Sequence, residues 1–181
     1  MDYSKLINLL ENDNNKIIPI IKGKEDIEKI KFSPVIMEYV YREKNSKDII
    51  LDMDKDKLSV GTVLSKEEAK FCIDNGINIM FSPHLDEDLV KYCINNNGIL
   101  IPGIFTATEV MKAYNIGVKV MKFFPCHSND NIKMLKQYSD IFDKLGIKFI
   151  ATGGIDNVNY KEVLSIKNVI AVGSSKIREI I

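Results

Sequence analysis

The chain has 181 residues, of which 45% are hydrophobic, and it carries 25 acidic and 25 basic residues. This length and composition predict a single globular domain over residues 1–181, with ample apolar material for a core. A net charge of zero argues against a dedicated nucleic-acid surface, and the aromatic residues follow no pattern that suggests base stacking.

The cysteines indicate the redox setting. Cys72, Cys93 and Cys126 have neither CxxC spacing nor an even count, so neither disulfides nor a zinc site is expected. A reducing, cytoplasmic setting fits this pattern best. The first residues include acids and no long apolar run, which predicts neither a signal peptide nor a membrane span.

Short β-rich runs alternate with longer helical segments along the whole chain. A short helix over residues 2–12 is predicted to precede the first strand. Eight strands are predicted, at Ile17–Ile21, Val35–Tyr41, Leu58–Val60, Ile79–Phe81, Ile99–Ile101, Val118–Phe123, Phe149–Ala151 and Val169–Val172. Eight strands alternating with helices are typical of a closed α/β barrel of the TIM type.

Local signals mark the helix boundaries between these strands. Ser65-x-x-Glu68 and Thr106-x-x-Glu109 are both predicted to form capping boxes. The other predicted N-terminal caps are Asp86 and either Asn129 or Asp130. Glycines are expected in the left-handed conformation just after a helix, at Gly76, Gly98, Gly117 and Gly146.

Three outer helices are predicted to be short or missing. The connections at 22–33 and 43–57 can hold only one or two helical turns, and only 175–181 remains after the last strand. The predicted fold is therefore a trimmed (β/α)8 barrel without full outer helices 1, 2 and 8. Met37, Tyr39 and Tyr41 on the outer face of the second strand then need cover from the short helices or from a partner subunit.

The most informative stretch is 118–125, which brings a lysine to the end of an otherwise apolar strand. Alternation places Val118, Val120 and Lys122 on one face, so Lys122 continues an apolar row. Burial favours the free amine, which can attack a ketone carbonyl to give a Schiff base. The alternative is a lysine whose ammonium group reaches solvent at the strand end.

The C-terminal strand ends of such a barrel carry the active site, so the residues there form a candidate set. The second strand places Glu38 in the same parity as Ile36, Val40 and Arg42. A purely structural ion pair between Glu38 and Lys122 is the alternative to a catalytic pair. The arginine favours a carboxylate ligand, and the glycine turns after the last two strands favour a phosphate.

Eight sequence pieces then match a known family. The chain resembles the 2-keto-3-deoxy-6-phosphogluconate (KDPG) aldolases, class I lyases that also act on 4-hydroxy-2-oxoglutarate, from about Ile18 to Ser175. The matching pieces are Ile18-Pro19-Ile20-Ile21, Met37-Glu38-Tyr39-Val40-Tyr41-Arg42, Val60-Gly61-Thr62-Val63-Leu64, Phe81-Ser82-Pro83-His84-Leu85, Ile101-Pro102-Gly103-Ile104-Phe105-Thr106, Lys122-Phe123-Phe124-Pro125, Thr152-Gly153-Gly154-Ile155 and Val172-Gly173-Ser174-Ser175. One such piece means little, whereas eight in order at near-family spacing are specific.

The resemblance implies a role for each matching residue. Lys122 matches the Schiff-base lysine and Glu38 the general acid/base. Arg42 and Thr62 match the groups that hold the pyruvate carboxylate. The phosphate-binding turns are matched by Gly153, Gly154 and Ser175, with Gly173 beside them. The residues implied in substrate binding are Arg42, Thr62, Pro83, Phe124, Thr152, Gly153, Gly154, Gly173 and Ser175.

The implied reaction is cleavage of a 2-keto-3-deoxy sugar acid to pyruvate and an aldehyde, without metal or other cofactor. His84 and His127 have no acidic or cysteine partner at metal-ligand spacing, and His84 is expected to cap a turn. The implied partners are therefore small molecules, a 2-oxo acid and an aldehyde, with no nucleic acid and no membrane. The family is commonly trimeric, so the resemblance also implies a homo-oligomer, with a trimer as the candidate form.

The chain departs from the family pattern in the last phosphate turn. Ser174 stands where the family has a second glycine, and Lys176 and Arg178 are close enough in sequence to supply replacement charge. Cys126 is expected to act as a small apolar residue. Two alternatives to an aldolase stay open: a catalytically weak or inactive barrel that binds a phosphorylated sugar acid or a protein partner, and a phosphosugar isomerase or epimerase on the same fold.

Overall fold

In the computed structural model, residues 2–42 and 45–176 are described, and they contain one sheet of parallel strands. The strands are β1 (Ile17–Ile21), β2 (Met37–Val40), β3 (Leu58–Gly61), β4 (Ile79–Phe81), β5 (Ile99–Ile101), β6 (Gly103–Ile104), β7 (Val120–Phe123), β8 (Lys148–Thr152) and β9 (Val169–Ser174). Their order is β5-β4-β3-β2-β1-β9-β8-β7-β6. The chain joins β5 directly to β6, so the two ends of the sheet meet in a nearly closed barrel, which confirms the predicted fold.

There are nine strands because an additional stretch, β6, follows the predicted fifth strand and is separated from it by Pro102. Proline has no N–H group to donate to a sheet ladder. Its carbonyl oxygen still accepts a hydrogen bond of 2.9 Å from the backbone N–H of Lys122. This bond joins the residue between β5 and β6 to β7, at the backbone of the predicted Schiff-base lysine.

The helices within the described residues lie between these strands. They are α1 (Tyr3–Glu11), α2 (Lys24–Ile27), α3 (Ser46–Asp52), α4 (Lys66–Asp74), α5 (Glu87–Asn95), α6 (Ala107–Asn115), α7 (Asn129–Ile141) and α8 (Tyr160–Leu164). The two connections predicted to be trimmed hold only α2 and α3, of four and seven residues. Arg178 and the outer helix predicted to be short or missing after the last strand lie outside the described residues. None of the helices described is long and apolar enough to cross a membrane.

The apolar residues form two layers, one inside the barrel and one between the strands and the outer helices. The inner layer includes Leu6 and Leu10 of α1, which are fully buried against strand residues. Helix α1 therefore packs against the interior of the barrel, leaving the C-terminal strand ends open for a site. The strand residues of the inner layer are Ile18, Ile36, Ile79, Phe81, Ile99, Ile101, Val120, Ile150, Ile170 and Ala171.

The outer face of β2 is covered by this chain itself. Tyr39 is fully buried and Tyr41 is buried in the outer layer, which also contains Ile50 of α3 and Met53 just after it. Of the two possibilities raised by the sequence, cover from the short helices is the one the structure shows. Burial of these tyrosines therefore needs no partner subunit.

Several predicted boundaries are wrong in detail. Helix α7 is capped by Ser128, whose side chain accepts from the N–H of Asn131, and not by Asn129 or Asp130. Asn97 takes the left-handed conformation after α5, with φ of 61°, in place of Gly98. Asparagine tolerates this conformation better than most residues, which explains the shift.

The predicted sixth strand, which is β7 of the structure, also begins later than expected. Strand β7 starts at Val120, so Val118 precedes it and packs in the outer layer, off the inward row of Lys122. Val120 does lie in the inner layer, directly before Lys122 in that row. The alternation argument therefore holds within the strand and fails where the strand has not yet begun.

Candidate active site

A cavity of about 320 Å³ opens at the C-terminal ends of the strands. Parallel strands with helical crossovers all end on this side of the barrel, so side chains from distant parts of the sequence converge there. The lining residues are Ile20, Glu38, Val40, Thr62, Pro83, Lys122, Phe124, Thr152, Gly153, Gly154, Ile155, Gly173, Ser174, Ser175 and Lys176. Every residue predicted for the site except Arg42 is in this set.

The cavity contains a buried ion pair. Nζ of Lys122 lies 3.2 Å from Oε1 of Glu38, and the two side chains are only 8% and 2% exposed. A buried ion pair replaced by apolar residues is often neutral or stabilising, so such a pair is weak evidence for a role in stability. Its position at a cavity makes it a candidate for chemistry.

Aromatic rings flank the amine of Lys122. Nζ lies 5.6 Å from the centroid of the Phe81 ring and 5.5 Å from that of the Phe124 ring. Each ring attracts a cation through its quadrupole, and both restrict the access of water. The lysine is thus held inside the barrel and does not reach solvent at the strand end, which excludes the alternative raised by the sequence.

Two buried oxygen atoms at the cavity have no hydrogen-bond partner among the described residues. They are Oε2 of Glu38 and Oγ1 of Thr152, both on residues that line the cavity. A buried polar atom without a partner is costly, so such atoms in a cavity point to a bound water or ligand that satisfies them. The two oxygens therefore mark positions where a polar substrate can form hydrogen bonds.

The turn after β8 lines the cavity with two successive glycines. Gly153 and Gly154 adopt φ values of 81° and 97°, which favour glycine. A Cβ at Gly153 would lie 2.7 Å from the ring of Phe124, and one at Gly154 would overlap His127. Within the described residues, neither N–H group donates a hydrogen bond. Successive free N–H groups of this kind form a concave site for an anion.

Ser174 connects this turn to the end of β9. Its buried hydroxyl donates a 2.7 Å hydrogen bond to the carbonyl of Ile155 and accepts a 3.0 Å bond from the N–H of Lys176. The side chain that replaces the family's glycine thus has hydrogen-bond partners within the protein. The ammonium of Lys176 adds positive charge at the cavity and lies 3.7 Å from the carboxylate of Asp156.

Thr62 occupies a strained position at the opposite wall. Its φ of 63° is unusual for a β-branched residue, and such strain concentrates at functional sites. Gly103 beside Pro83 also has no room for a side chain, because a Cβ there would overlap the Pro83 backbone. Close backbone packing therefore fixes this side of the cavity.

Arg42 does not line the cavity, although it shares the parity of Glu38 in the sequence. Strand β2 ends at Val40, and the Arg42 side chain turns to Glu68 of α4, with Nη1–Oε1 and Nη2–Oε2 distances of 2.9 and 3.3 Å. Nη2 also donates to the carbonyl of Thr62. The period-two prediction fails here because Arg42 follows the strand, and an outer-helix carboxylate attracts it.

The remaining sequence predictions concern histidine and cysteine. Nδ1 of His84 lies 3.2 Å from the hydroxyl of Ser82, a contact within the turn after β4. Burial raises the pKa of the Cys126 thiol to about 12, so the reactive thiolate is scarce at neutral pH. Among the residues described, no three His, Cys, Asp or Glu side chains form a metal-binding group.

Two residues that line the cavity, and two that position its neighbours from outside it, were not assigned to the site from the sequence. Ile20 and Val40 end inward-facing rows, so strand parity could have found them. Gly61 leaves room for Glu38, and Glu68 holds Arg42. Neither relation leaves a local sequence signal, because each joins residues on different elements.

The fold and the site define the chain as an α/β barrel of the TIM type with a lysine–carboxylate pair at its C-terminal strand ends. The model of the KDPG and KHG aldolase family matches residues 5–180. The chain therefore belongs to this family, a family of lyases.

Individual relatives agree with this assignment. The KHG/KDPG aldolase of Escherichia coli K12 is 35% identical, and the 2-dehydro-3-deoxy-phosphogluconate aldolase of Dickeya dadantii 36%, each over 118 residues or 65% of this chain. The matched segment spans about half of those relatives, 54% of each. A solved KDPG aldolase from Legionella pneumophila, with pyruvate captured as a covalent carbinolamine, superposes with a TM-score of 0.80 at 26% identity, covering 93% of this chain and 85% of that one.

Proposed function

We propose that the protein is a class I aldolase that forms a Schiff base through Lys122. Its substrate is either a 2-keto-3-deoxy sugar acid or 4-hydroxy-2-oxoglutarate. The sugar acid is 2-keto-3-deoxy-6-phosphogluconate, cleaved to pyruvate and glyceraldehyde 3-phosphate, whereas 4-hydroxy-2-oxoglutarate is cleaved to pyruvate and glyoxylate. The observation that carries the proposal is the 3.2 Å contact between the buried Lys122 amine and Glu38 at the cavity. Neither a phosphosugar isomerase nor an inactive binding protein needs this pair.

Imine formation uses both members of the pair. Glu38 takes a proton from Lys122, and the free amine attacks the keto carbon of the substrate to give a carbinolamine. Glu38 then returns the proton to the carbinolamine hydroxyl, directly or through a water molecule, and water leaves. The product is a protonated imine, a stronger electron acceptor than the original ketone.

Carbon–carbon cleavage follows from this intermediate. The base takes the proton of the C4 hydroxyl, the C3–C4 bond breaks, and its electron pair moves onto C3 to form an enamine while the aldehyde departs. Protonation at C3 and hydrolysis of the imine release pyruvate and restore Lys122. Because the imine supplies the electron sink, these steps need no metal and no other cofactor.

The two anionic ends of the substrate have separate binding groups. The phosphate, or the distal carboxylate, would bind the free N–H groups of Gly153 and Gly154 near the Lys176 ammonium. The carboxylate next to the keto group would bind at Thr62, with Arg42 reaching it after a change of side-chain conformation. The unpartnered Oγ1 of Thr152 offers a further hydrogen bond within the same cavity.

Trapping with borohydride tests the proposal. Incubation with pyruvate and borohydride should add one reduced pyruvate to the intact protein, and peptide mapping should place it on Lys122. Lys119→Ala is the matched control, because Lys119 is on the same chain segment with its ammonium over the Tyr114 ring, and this variant should still form the adduct. Lys122→Ala should not. A folded wild-type protein without any adduct would exclude Schiff-base chemistry.

The assembly and the compartment are part of the same proposal. A homo-oligomer, with a trimer as the candidate form, is supported by the family resemblance, and light scattering of the purified protein would test it. A cytoplasmic location is supported by the three cysteines, which are free and buried. Fractionation of the source cells with an antibody to the protein would test the location.

A further inference from the structure

Helices α4 and α6 begin with the same sequence pattern but differ in what their third residue binds. In α6, Oε2 of Glu109 accepts hydrogen bonds from the N–H groups of Phe105 and Thr106, at 2.9 and 2.8 Å, and completes a capping box. Both helices are capped by a hydroxyl, Thr106 in α6 and Ser65 in α4. The start of α6 thus shows the arrangement that this pattern adopts when no arginine is paired with the glutamate.

The capping box of α4 is incomplete. Oε2 of Glu68 accepts a 2.7 Å bond from the N–H of Leu64, the counterpart of the Phe105 bond in α6. The N–H of Ser65, however, has no partner among the described residues. The Glu68 carboxylate is paired with Arg42 instead. The helix whose glutamate holds the arginine is therefore the one that lacks the second bond of its capping box.

Arg42 is the residue that the proposed function needs for the substrate carboxylate. In the structure its guanidinium already binds a carboxylate through two nitrogen–oxygen contacts, and it does not line the cavity. A substrate carboxylate must therefore replace Glu68 on Arg42 or bind without this arginine.

We propose that Glu68 competes with the substrate carboxylate for Arg42. When the substrate binds, Glu68 releases Arg42 and moves to the unpaired N–H of Ser65. This inference rests on the proposed function, because it assumes a 2-oxo acid in the cavity. One ion pair replaces another in the exchange, and the helix gains the missing bond of its capping box. The Arg42–Glu68 pair is only partly buried, with side chains 36% and 22% exposed, so breaking it is not costly.

The first test measures how pyruvate concentration controls imine formation. Glu68→Gln keeps an acceptor for the Leu64 N–H and removes the competing charge, so half-maximal trapping should need about two- to fivefold less pyruvate, with the maximal rate unchanged. Glu67→Gln, which changes the net charge equally on the same helix turn, should match wild type. An unchanged or higher pyruvate requirement in Glu68→Gln, relative to Glu67→Gln, would overturn the proposal.

The second test needs no substrate and so separates this inference from the proposed function. In Arg42→Met, Glu68 has lost its arginine and should bind the N–H of Ser65, slowing hydrogen exchange of that amide about fivefold. The Thr106 amide is the internal reference and should not change. If Ser65 exchange also stays unchanged, the competitor model is wrong, whether or not the wild-type protein forms the Lys122 adduct.

Discussion

Gly61 leaves open the space that the Glu38 carboxylate occupies, because a Cβ at Gly61 would overlap Oε1 of Glu38. The two residues lie on neighbouring strands, where Val40 pairs with Gly61 and Glu38 with Ser59. The absence of a side chain on β3 therefore determines where the carboxylate on β2 can lie. Since that carboxylate contacts Lys122, the glycine acts on the proposed chemistry through the position of Glu38.

Gly61→Ala should therefore displace Glu38 from Lys122. We expect cleavage to slow by about 10² or more, as for loss of a general base, with about 1–3 kcal/mol of destabilisation from overpacking. Turnover and urea denaturation measure the two effects.

Gly117→Ala is the matched control for this substitution. No atom lies within 4 Å of a Cβ there, but φ is +92°, so alanine should cost about 1 kcal/mol of stability through strain and leave turnover intact. Full activity in Gly61→Ala would show that Glu38 does not need its present position.

Glu38→Gln tests the base directly. The amide keeps the shape of the side chain but cannot take a proton, so exchange of the pyruvate methyl protons with D2O should slow by about 10² or more. Proton NMR of pyruvate follows this exchange. Glu109→Gln, at the start of α6 and outside the cavity, should exchange at the wild-type rate. Unchanged exchange in Glu38→Gln would assign the base to another group.

Loss of one member of the buried Lys122–Glu38 pair should destabilise the protein more than replacement of both. Lys122→Met leaves Glu38 buried without its partner and should lower the free energy of unfolding by about 3 kcal/mol, whereas adding Glu38→Leu should recover most of that loss. Urea denaturation of the two single variants and the double variant measures the coupling. Additive effects of the two substitutions would mean that the pair does not interact energetically, despite the 3.2 Å contact.

The Ser174 side chain should affect binding of the phosphate end of the substrate and not imine formation at Lys122. Ser174→Gly restores the family's glycine but removes the bond to the Ile155 carbonyl, so the turns after β8 and β9 lose a connection. We expect the KM for the phosphorylated substrate to rise about fivefold, the effect of one hydrogen bond, while the Lys122 adduct with pyruvate forms as in wild type. Steady-state kinetics and borohydride trapping provide the two readouts.

Ser139→Ala is the control for the loss of a buried hydroxyl. Ser139 accepts a hydrogen bond from the N–H of Asn168 and does not line the cavity. Its removal should lower stability without changing KM. A KM in Ser174→Gly equal to that of wild type would mean that the connection between the two turns does not affect phosphate binding.

The start of α4 shows how far local sequence can predict a contact. The spacing of Ser65 and Glu68 correctly gives the cap and the first turn, since these depend on residues three apart. It cannot show that Arg42, 26 positions earlier, takes the glutamate side chain. The same limit applies to Arg42, because its parity with Glu38 no longer sets its direction once β2 has ended at Val40.

The sequence by itself determined the barrel, the short outer helices after β1 and β2, and the inward direction of Lys122 and Glu38. Alternation, helical period and turn residues act over a few positions, so they can be read without knowing what lies nearby in space. Only the tertiary structure decided that Lys122 and Glu38, 84 positions apart, come within 3.2 Å. It also decided the partners of Arg42 and Ser174, because closing the barrel brings together residues whose separation in sequence holds no information about their distance.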